Sequence, residues 1–454
     1  MTTATARTRQ PHLLRAALEA LVQPDLRGRI IFVFAMLVVF RFLANLPVPG
    51  ADPSIFESFF REDPILGFLN LFSGGALQRM SIAAMGVYPY VTAAIVMQLL
   101  VPLVPTLRAL AQEGEYGRRQ IEVYTYWLTV PMALIQSYGE LILIQQLAPG
   151  AIKVGFGSGE DALRTLTILI TMTAGTLFLV WLGELISEKG VGNGTSIIIF
   201  SGIVTGLPEY VGTRLFAGIG GTLLSTLALG LFIVGLVYLT VLFQEAQRRI
   251  PVQYSRSVFR GGRMYRQSGQ TYIPLRVNSV GMIPLIFAFS LILLPAYAGQ
   301  VLSQNNNEVI ANVGKWLADV FTPGNPLYWL LVFVSVIIFS FFYTVVLFQQ
   351  QNLAENLQRQ GGFIPGIRPG RPTEEYINRV LMRITWAGAL FLGFMAISPF
   401  IAGLLFGADV SLQGRSFQFG ISASGIIIVV GVVLDMMRQI EAQVLMRRYE
   451  GFIR

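Results

Sequence analysis

Apolar runs of about twenty residues, separated by short polar segments, recur along the chain between residues 30 and 437. A helix needs roughly 20 such residues to cross the hydrocarbon core of a bilayer. The runs fall at about 30–46, 81–105, 123–148, 165–187, 193–211, 215–243, 277–303, 326–348, 384–408 and 417–437. This pattern predicts an all-α polytopic membrane protein with ten transmembrane helices. An even number of spans places both termini on one side.

Composition strengthens that reading. Hydrophobic residues make up 54% of the 454, charged residues only 13%, and the mean hydropathy is +0.61. Soluble domains carry about a quarter charged residues, so a water-solvated surface is hard to assemble here. The chain has no cysteine, which removes disulfides, thiolate metal sites and cysteine nucleophiles. Its single histidine, His12, cannot complete a two-histidine metal site, and its place in the N-terminal tail leaves a serine triad without a base. None of its three lysines (Lys153, Lys189, Lys315) precedes Ser or Thr, so no P-loop is present. No cofactor is expected, and energy for any work must come from a partner or a gradient.

The net charge is +8, but the position of the charges says more than their sum. With the N-terminus inside, 25 of the 33 basic residues fall in inner segments. Only seven (Arg61, Arg79, Lys153, Arg164, Arg214, Lys315 and Arg415) fall in outer loops, and Arg41 lies within the first span. The positive-inside rule then puts both termini in the cytoplasm. The basic first 29 residues lead into an apolar run without a small-residue cleavage site, so that run is expected to be the first anchor.

Two features depart from a plain ten-helix bundle. Residues 64–77, in the first outer segment, form an apolar stretch too short to span, ended by Gly74 and Gly75. It reads either as a half-helix folded back into protein or as an interfacial helix on the outer surface. Two long inner loops, 244–276 and 349–383, use arginine as their only basic residue. The first carries Arg248, Arg249, Arg256, Arg260, Arg263, Arg266 and Arg276; the second carries Arg359, Arg368, Arg371, Arg379 and Arg383. Such loops suit either topology and lipid headgroups or the docking of an acidic protein surface or RNA.

Several motifs resemble the bacterial SecY family. They are Asn70-Leu-Phe-Ser-Gly-Gly-Ala-Leu77, Gly86-Val-Tyr-Pro-Tyr90, Gln98-Leu-Leu100, Gln112-Glu-Gly-Glu-Tyr-Gly-Arg-Arg119, Gly190-Val-Gly-Asn-Gly-Thr-Ser-Ile197, Arg249-Ile-Pro-Val252, Ile273-Pro-Leu-Arg-Val-Asn278, Gly281-Met-Ile-Pro284 and Ala354-Glu-Asn-Leu357, the last continuing into Gly361-Gly-Phe-Ile-Pro-Gly-Ile-Arg-Pro-Gly370. The resemblance runs from about Pro24 to Gly451 in the family's order. It implies a channel for unfolded secretory polypeptides in the bacterial cytoplasmic membrane, with lateral release of signal or membrane helices. The channel would not be an enzyme; a motor ATPase or the ribosome would drive it.

The implied domain plan is a cytoplasmic segment 1–29, a first half 30–211 with spans one to five, an inverted second half 212–437 with spans six to ten, and a cytoplasmic tail 438–454. The implied pore ring consists of Val87, Val91, Thr195, Ile199, Ile286 and Ile428, Thr195 departing from a purely aliphatic set. A plug at about 64–80 would include Leu66, Phe68, Leu71, Phe72, Ser73, Gly74, Gly75 and Leu77. Thr92, Gln136 and Ser290 would be polar contacts of a lateral gate between spans two–three and seven–eight. Arg368, then Arg249 and Arg263, with Arg256 and Arg260, would dock the motor SecA or the ribosome. Implied partners are SecE, usually SecG, SecA, the ribosome, signal peptides with unfolded preproteins, and membrane lipids. The competing expectation is a secondary transporter of a small solute. Such proteins carry ionisable groups at mid-membrane, whereas Arg41, Glu140, Glu184 and Asp435 lie away from the span centres.

Overall fold

The computed structural model describes residues 23–49, 73, 75–77, 79–147, 159–215, 223–260, 263–278, 281, 283–303, 307–321, 325–351, 353–406 and 423–453. Ten helices overlie the ten apolar segments: α1 (Pro24–Ala44), α2 (Tyr88–Leu103), α4 (Glu115–Leu147), α5 (Gly159–Lys189), α6 (Gly194–Leu215), α7 (Leu223–Glu245), α8 (Ile283–Ser303), α10 (Pro326–Gln351), α12 (Arg371–Phe406) and α13 (Ala423–Ile453). Three shorter helices were not foreseen: α3 (Pro105–Gln112), α9 (Glu308–Val320) and α11 (Leu353–Arg359). Among the described residues, three stretches are long and apolar enough to cross a membrane: Gly159–Lys189, Arg371–Ile401, and α10 taken on through α11 (Pro326–Arg359). The pair α2–α3, bent by 97°, makes a fourth if it is one span.

Local chemistry sets these breaks. Pro105 has no N–H to continue a helix and drives Val104 into extended backbone, so α3 turns away from α2. The second apolar segment becomes helical only at Tyr88, not at residue 81, because residues 81–87 form turns in which Gly86 adopts φ +56°.

The chain packs into two compact units: 1–97 with 119–211 and 428–454, and 98–118 with 212–427. In the first, α1 packs on α5, and Phe40, Leu141, Ile168, Met172 and Leu179 are fully buried. A separate apolar cluster ties Leu26 of α1 to Val191 and to Ile440 and Val444 of α13. The turns before α2 lie directly on α5, where a Cβ at Gly175 would come 2.0 Å from the Ile82 carbonyl oxygen. In the second unit α10 packs on α8 and α12, and α7 on α12. Stacked rings join them: Phe243 with Phe391 at 4.2 Å, Phe287 with Phe339 at 5.2 Å, and Trp329 with Phe400 at 6.0 Å.

The opposite faces of these helices are apolar too. Ile31, Phe34, Val38 and Phe42 form an exposed stripe on α1; Leu231, Val234, Tyr238 and Leu242 do so on α7; Met382, Trp386, Leu390 and Phe394 do so on α12. Spacings of three and four place each set along one face. Helices that are apolar on both faces suit a hydrocarbon surrounding.

The all-α expectation needs one correction. The first arginine loop is a hairpin of β1 (Gln247–Arg260) and β2 (Arg263–Arg276), to which β3 (Gly362–Phe363) adds in the order β2-β1-β3. Ile250, Val252 and Tyr254 fall at every second position of β1, and Ile273 and Leu275 do so on β2, the period of a strand with one buried face. The register sets Ile250 against Ile273 and Val252 against Thr271. Arginine content drew attention away from that period.

The close approach at Gly175 generates a test. Gly175→Val should displace the turns before α2 and cost at least about 1–3 kcal/mol, seen as a lowered melting temperature of the purified protein in detergent. Gly139→Ala on α4, where a Cβ would meet nothing within 4 Å, should leave that temperature unchanged or raise it.

Candidate functional site

Five of the six ring candidates belong to the first unit. Val87 precedes α2 and Val91 lies one turn on, its N–H donating to the Val87 carbonyl at 3.1 Å. Thr195 and Ile199 stand one turn apart on α6, and Ile428 lies on α13. Val87 (1% exposed), Ile199 (4%) and Ile428 (1%) are buried, so none of the three faces surrounding lipid. Val91 and Thr195 are half-buried. The Thr195 hydroxyl lies against α5, 3.2 Å from where a Cβ on Gly183 would sit. Ile286 falls on α8 in the second unit, its side chain outside the described residues.

Of the plug candidates, Leu66, Phe68, Leu71, Phe72 and Gly74 lie outside the described residues. Ser73 and Leu77 are buried, and the Leu77 N–H donates to Ser73 Oγ at 3.0 Å. The chain beyond is stitched to the loop after α1. Val48 N–H donates to the Met80 carbonyl at 2.8 Å, Ile82 N–H to the Leu46 carbonyl at 2.9 Å, and Ser81 N–H to the Ala76 carbonyl at 2.9 Å. Gly75 has φ +83°.

Two of the three gate candidates meet. Gln136 Nε2 on α4 donates to Thr92 Oγ1 on α2 at 3.3 Å, while Thr92 donates to the Tyr88 carbonyl at 2.9 Å. Tyr90 stacks on Tyr126 across the same helix pair at 5.6 Å. The Ser290 side chain lies outside the described residues. Within the second unit, Tyr343 of α10 donates its hydroxyl proton to Gln98 Oε1 of α2. Sequence reasoning missed this bond, although Gln98 stands in a quoted motif as a polar residue in an apolar run. Tyr343 was hidden by its aromatic neighbours Phe341 and Phe342.

The two arginine loops form one folded body. Ile250, Val252 and Leu275 of the hairpin pack with Leu357 of α11, Ile364, and Ile377 of α12 in a single buried cluster, with Ile367 against it. The turn carrying Arg368 is anchored there. Gly366 and Gly370 adopt φ +83° and +100°, the left-handed region that glycine enters without steric cost. Ile367 N–H donates to the Ile364 carbonyl at 3.1 Å, and the buried Thr373 donates its hydroxyl proton to the Arg368 carbonyl at 2.8 Å. The backbone is held and the Arg368 side chain is exposed. Arg249 is also exposed, its guanidinium 4.8 Å from the centroid of the Tyr272 ring, a cation–π distance. Among the described residues neither arginine has a carboxylate partner. Arg260 and Arg263 are paired in register at the hairpin tip and Arg256 lies opposite Gln267; the side chains of all three fall outside the described residues.

With this geometry in place, comparison with known proteins is informative. The SecY family model matches residues 81–437. The protein translocase subunit SecY of Streptomyces galbus is 40% identical over 455 residues, covering 97% of this chain and all of that protein. That of Corynebacterium glutamicum is 40% identical over 450 residues, with 97% and 100% covered. Among solved structures, a protein-conducting channel shares 17% identity at TM-score 0.55. So does Sec61 in a canine ribosome–channel complex from the endoplasmic reticulum, with 91% of each chain covered in both cases. A SecY whose plug domain stabilises the closed state of its channel shares 18% identity at TM-score 0.56. These structures share the fold.

The Gln98–Tyr343 bond can be measured. A double-mutant cycle of Gln98→Ala and Tyr343→Phe, read by unfolding in detergent, should give a coupling of about 0.6 kcal/mol and not more than about 1.7.

Proposed function

This chain belongs to the SecY family and is a protein-conducting channel, not an enzyme, and on that premise we propose how its residues carry out translocation. The small-solute transporter reading finds no support among its relatives. The proposal is carried by one observation: Val87 from the turn before α2, Ile199 from α6 and Ile428 from α13 are aliphatic and buried within one unit.

A conduit for arbitrary unfolded chains must not grip them by hydrogen bonds, yet must hold back ions. Aliphatic side chains satisfy both needs, since they offer no donor or acceptor and a narrow apolar waist excludes water. In the reading proposed here, Val87, Val91, Ile199, Ile286 and Ile428 form that waist, with Thr195 at its margin against α5. Residues 66–77 form the plug, hinged by Gly75 and retained by the stitched turns that follow. Gln98–Tyr343, with Ser290, is the polar contact across the lateral gate, while Thr92–Gln136 holds spans two and three together on one side of it. Each such bond in a membrane is worth about 0.6 kcal/mol, weak enough for an apolar signal helix to displace.

Ten spans in two inverted halves, with both termini cytoplasmic, fit the charge bias and the helix count. The hairpin, α11 and the Arg368 turn then face the cytoplasm as the docking platform for SecA and the ribosome, and SecE and SecG complete the complex. Unfolded preproteins pass through the waist, and their signal peptides leave sideways into lipid.

The test is ATP-dependent import of a presecretory protein into vesicles holding the chain with SecE and SecA. Arg368→Glu should abolish import by weakening SecA binding roughly tenfold or more at low salt, while folding and membrane insertion stay intact; full import by the variant would refute the platform. Deleting residues 66–77 should leave import possible and raise the resting ion conductance in planar bilayers. Unchanged conductance would remove the plug from this account.

A further inference from the structure

The channel reading leaves α9 without a role. At roughly 100° per residue, its residues sort onto three faces. Ala311, Gly314 and Ala318 share one, Val309, Val313 and Trp316 a second, and Glu308, Asn312, Lys315 and Asp319 the third. The first face lies on α8 with backbones in contact. A Cβ on Gly314 would sit 2.3 Å from the Ser303 nitrogen, and one on Gly299 would sit 2.6 Å from the Ala318 nitrogen. Therefore α9 crosses the last turn of α8. The second face is open: Val309 is 72% exposed, Val313 50% and Trp316 62%. The third face is exposed and carries every charge on the helix. Asn307 caps the start, its Oδ1 accepting from the Val309 N–H at 3.2 Å.

A helix in water does not keep tryptophan and two valines exposed on one side. A helix enclosed in protein does not keep four polar residues on another. The division into protein-facing, apolar and charged faces fits the boundary between lipid headgroups and acyl chains. There an indole ring meets the acyl edge while its N–H stays wet, and the neighbouring Lys315 reaches the headgroup phosphates. The location agrees, because α9 crosses a spanning helix where that helix ends, and only five residues of sequence separate α9 from α10. The open face is apolar and exposed, as the stripes on the spans are.

We infer that α9 is an interfacial anchor, its Val309, Val313 and Trp316 covered by the acyl chains of membrane phospholipids, which holds the end of α8 at headgroup depth. This rests on the reading of α8 and α10 as membrane spans. Because α8 is a continuous helix, the anchor also sets the depth of Ile286, about 20 Å further along its axis at 1.5 Å per residue.

The natural absence of cysteine makes the test direct. Single variants Val309→Cys, Val313→Cys and Trp316→Cys, and on the polar face Asn312→Cys, Lys315→Cys and Asp319→Cys, would each carry a nitroxide. The full chain with its partner subunits would be placed in phosphatidylethanolamine–phosphatidylglycerol vesicles that import preprotein. The ratio of oxygen to nickel-chelate accessibility should be several-fold higher at the first three sites than at the last three. Equal chelate access on both faces would overturn the anchor in favour of a helix in water. Exclusion of both reagents from the first three sites would overturn it in favour of a protein cover. Either result in importing vesicles would leave the channel function standing. The Val309 and Val313 sites suffice if Trp316→Cys folds poorly.

Discussion

Inside a bilayer no water is available to hydrogen-bond a peptide N–H or C=O, and each unpaired group costs several kcal/mol. A segment that crosses must therefore satisfy its own backbone, which is why the apolar runs of this chain are helices. The departures from helix mark places where other parts of the protein supply the missing partners. Residues 76–77 and 79–87 are not helical, yet their carbonyls and amides bond to one another and to Leu46 and Val48. Gly175 has no side chain to keep them off α5. The segment leading to Val87 is irregular because it is enclosed.

The same constraint separates the two kinds of contact that a protein-conducting channel needs. Aliphatic packing seals without directionality, so buried valines and isoleucines suit a surface that must yield to any side chain. Hydrogen bonds between helices are directional and, in a membrane, weak. The bonds Gln136–Thr92 and Tyr343–Gln98 join α2 to α4 and to α10 through single side-chain pairs. A single bond of this kind is readily exchanged, whereas an extended packed core is not.

Outside the spans the reasoning inverts. Arg249 and Arg368 are exposed, and an exposed loop has little to hold it in place. Here a small apolar core does the holding. Ile250, Val252, Leu275, Leu357, Ile364 and Ile377 come from two strands, the segment after β3 and two helices of both loops, and they bury together. Arg368 rides on that core through Ile364, Ile367 and Thr373. Two loops far apart in the chain become one surface.

Period made the helical segments legible in the sequence, since helices α1 to α13 include one for each apolar run. The aliphatic identity of Val87, Ile199 and Ile428 was likewise readable, through motifs resembling a known family. The strand period of Ile250, Val252 and Tyr254 was present but overlooked, because the arginines on either side of them invited a reading by charge. Other features had no signal along the chain. That Tyr343 finds Gln98, that Gly175 meets Ile82, and that α9 crosses the end of α8 at Gly299 and Gly314 depend on residues brought together from distant positions. Local sequence determines which segments prefer hydrocarbon and which prefer water, because that preference belongs to each side chain. Which helices touch, and through which atoms, is decided only when the whole chain packs, because close approach depends on the shapes of both surfaces at once.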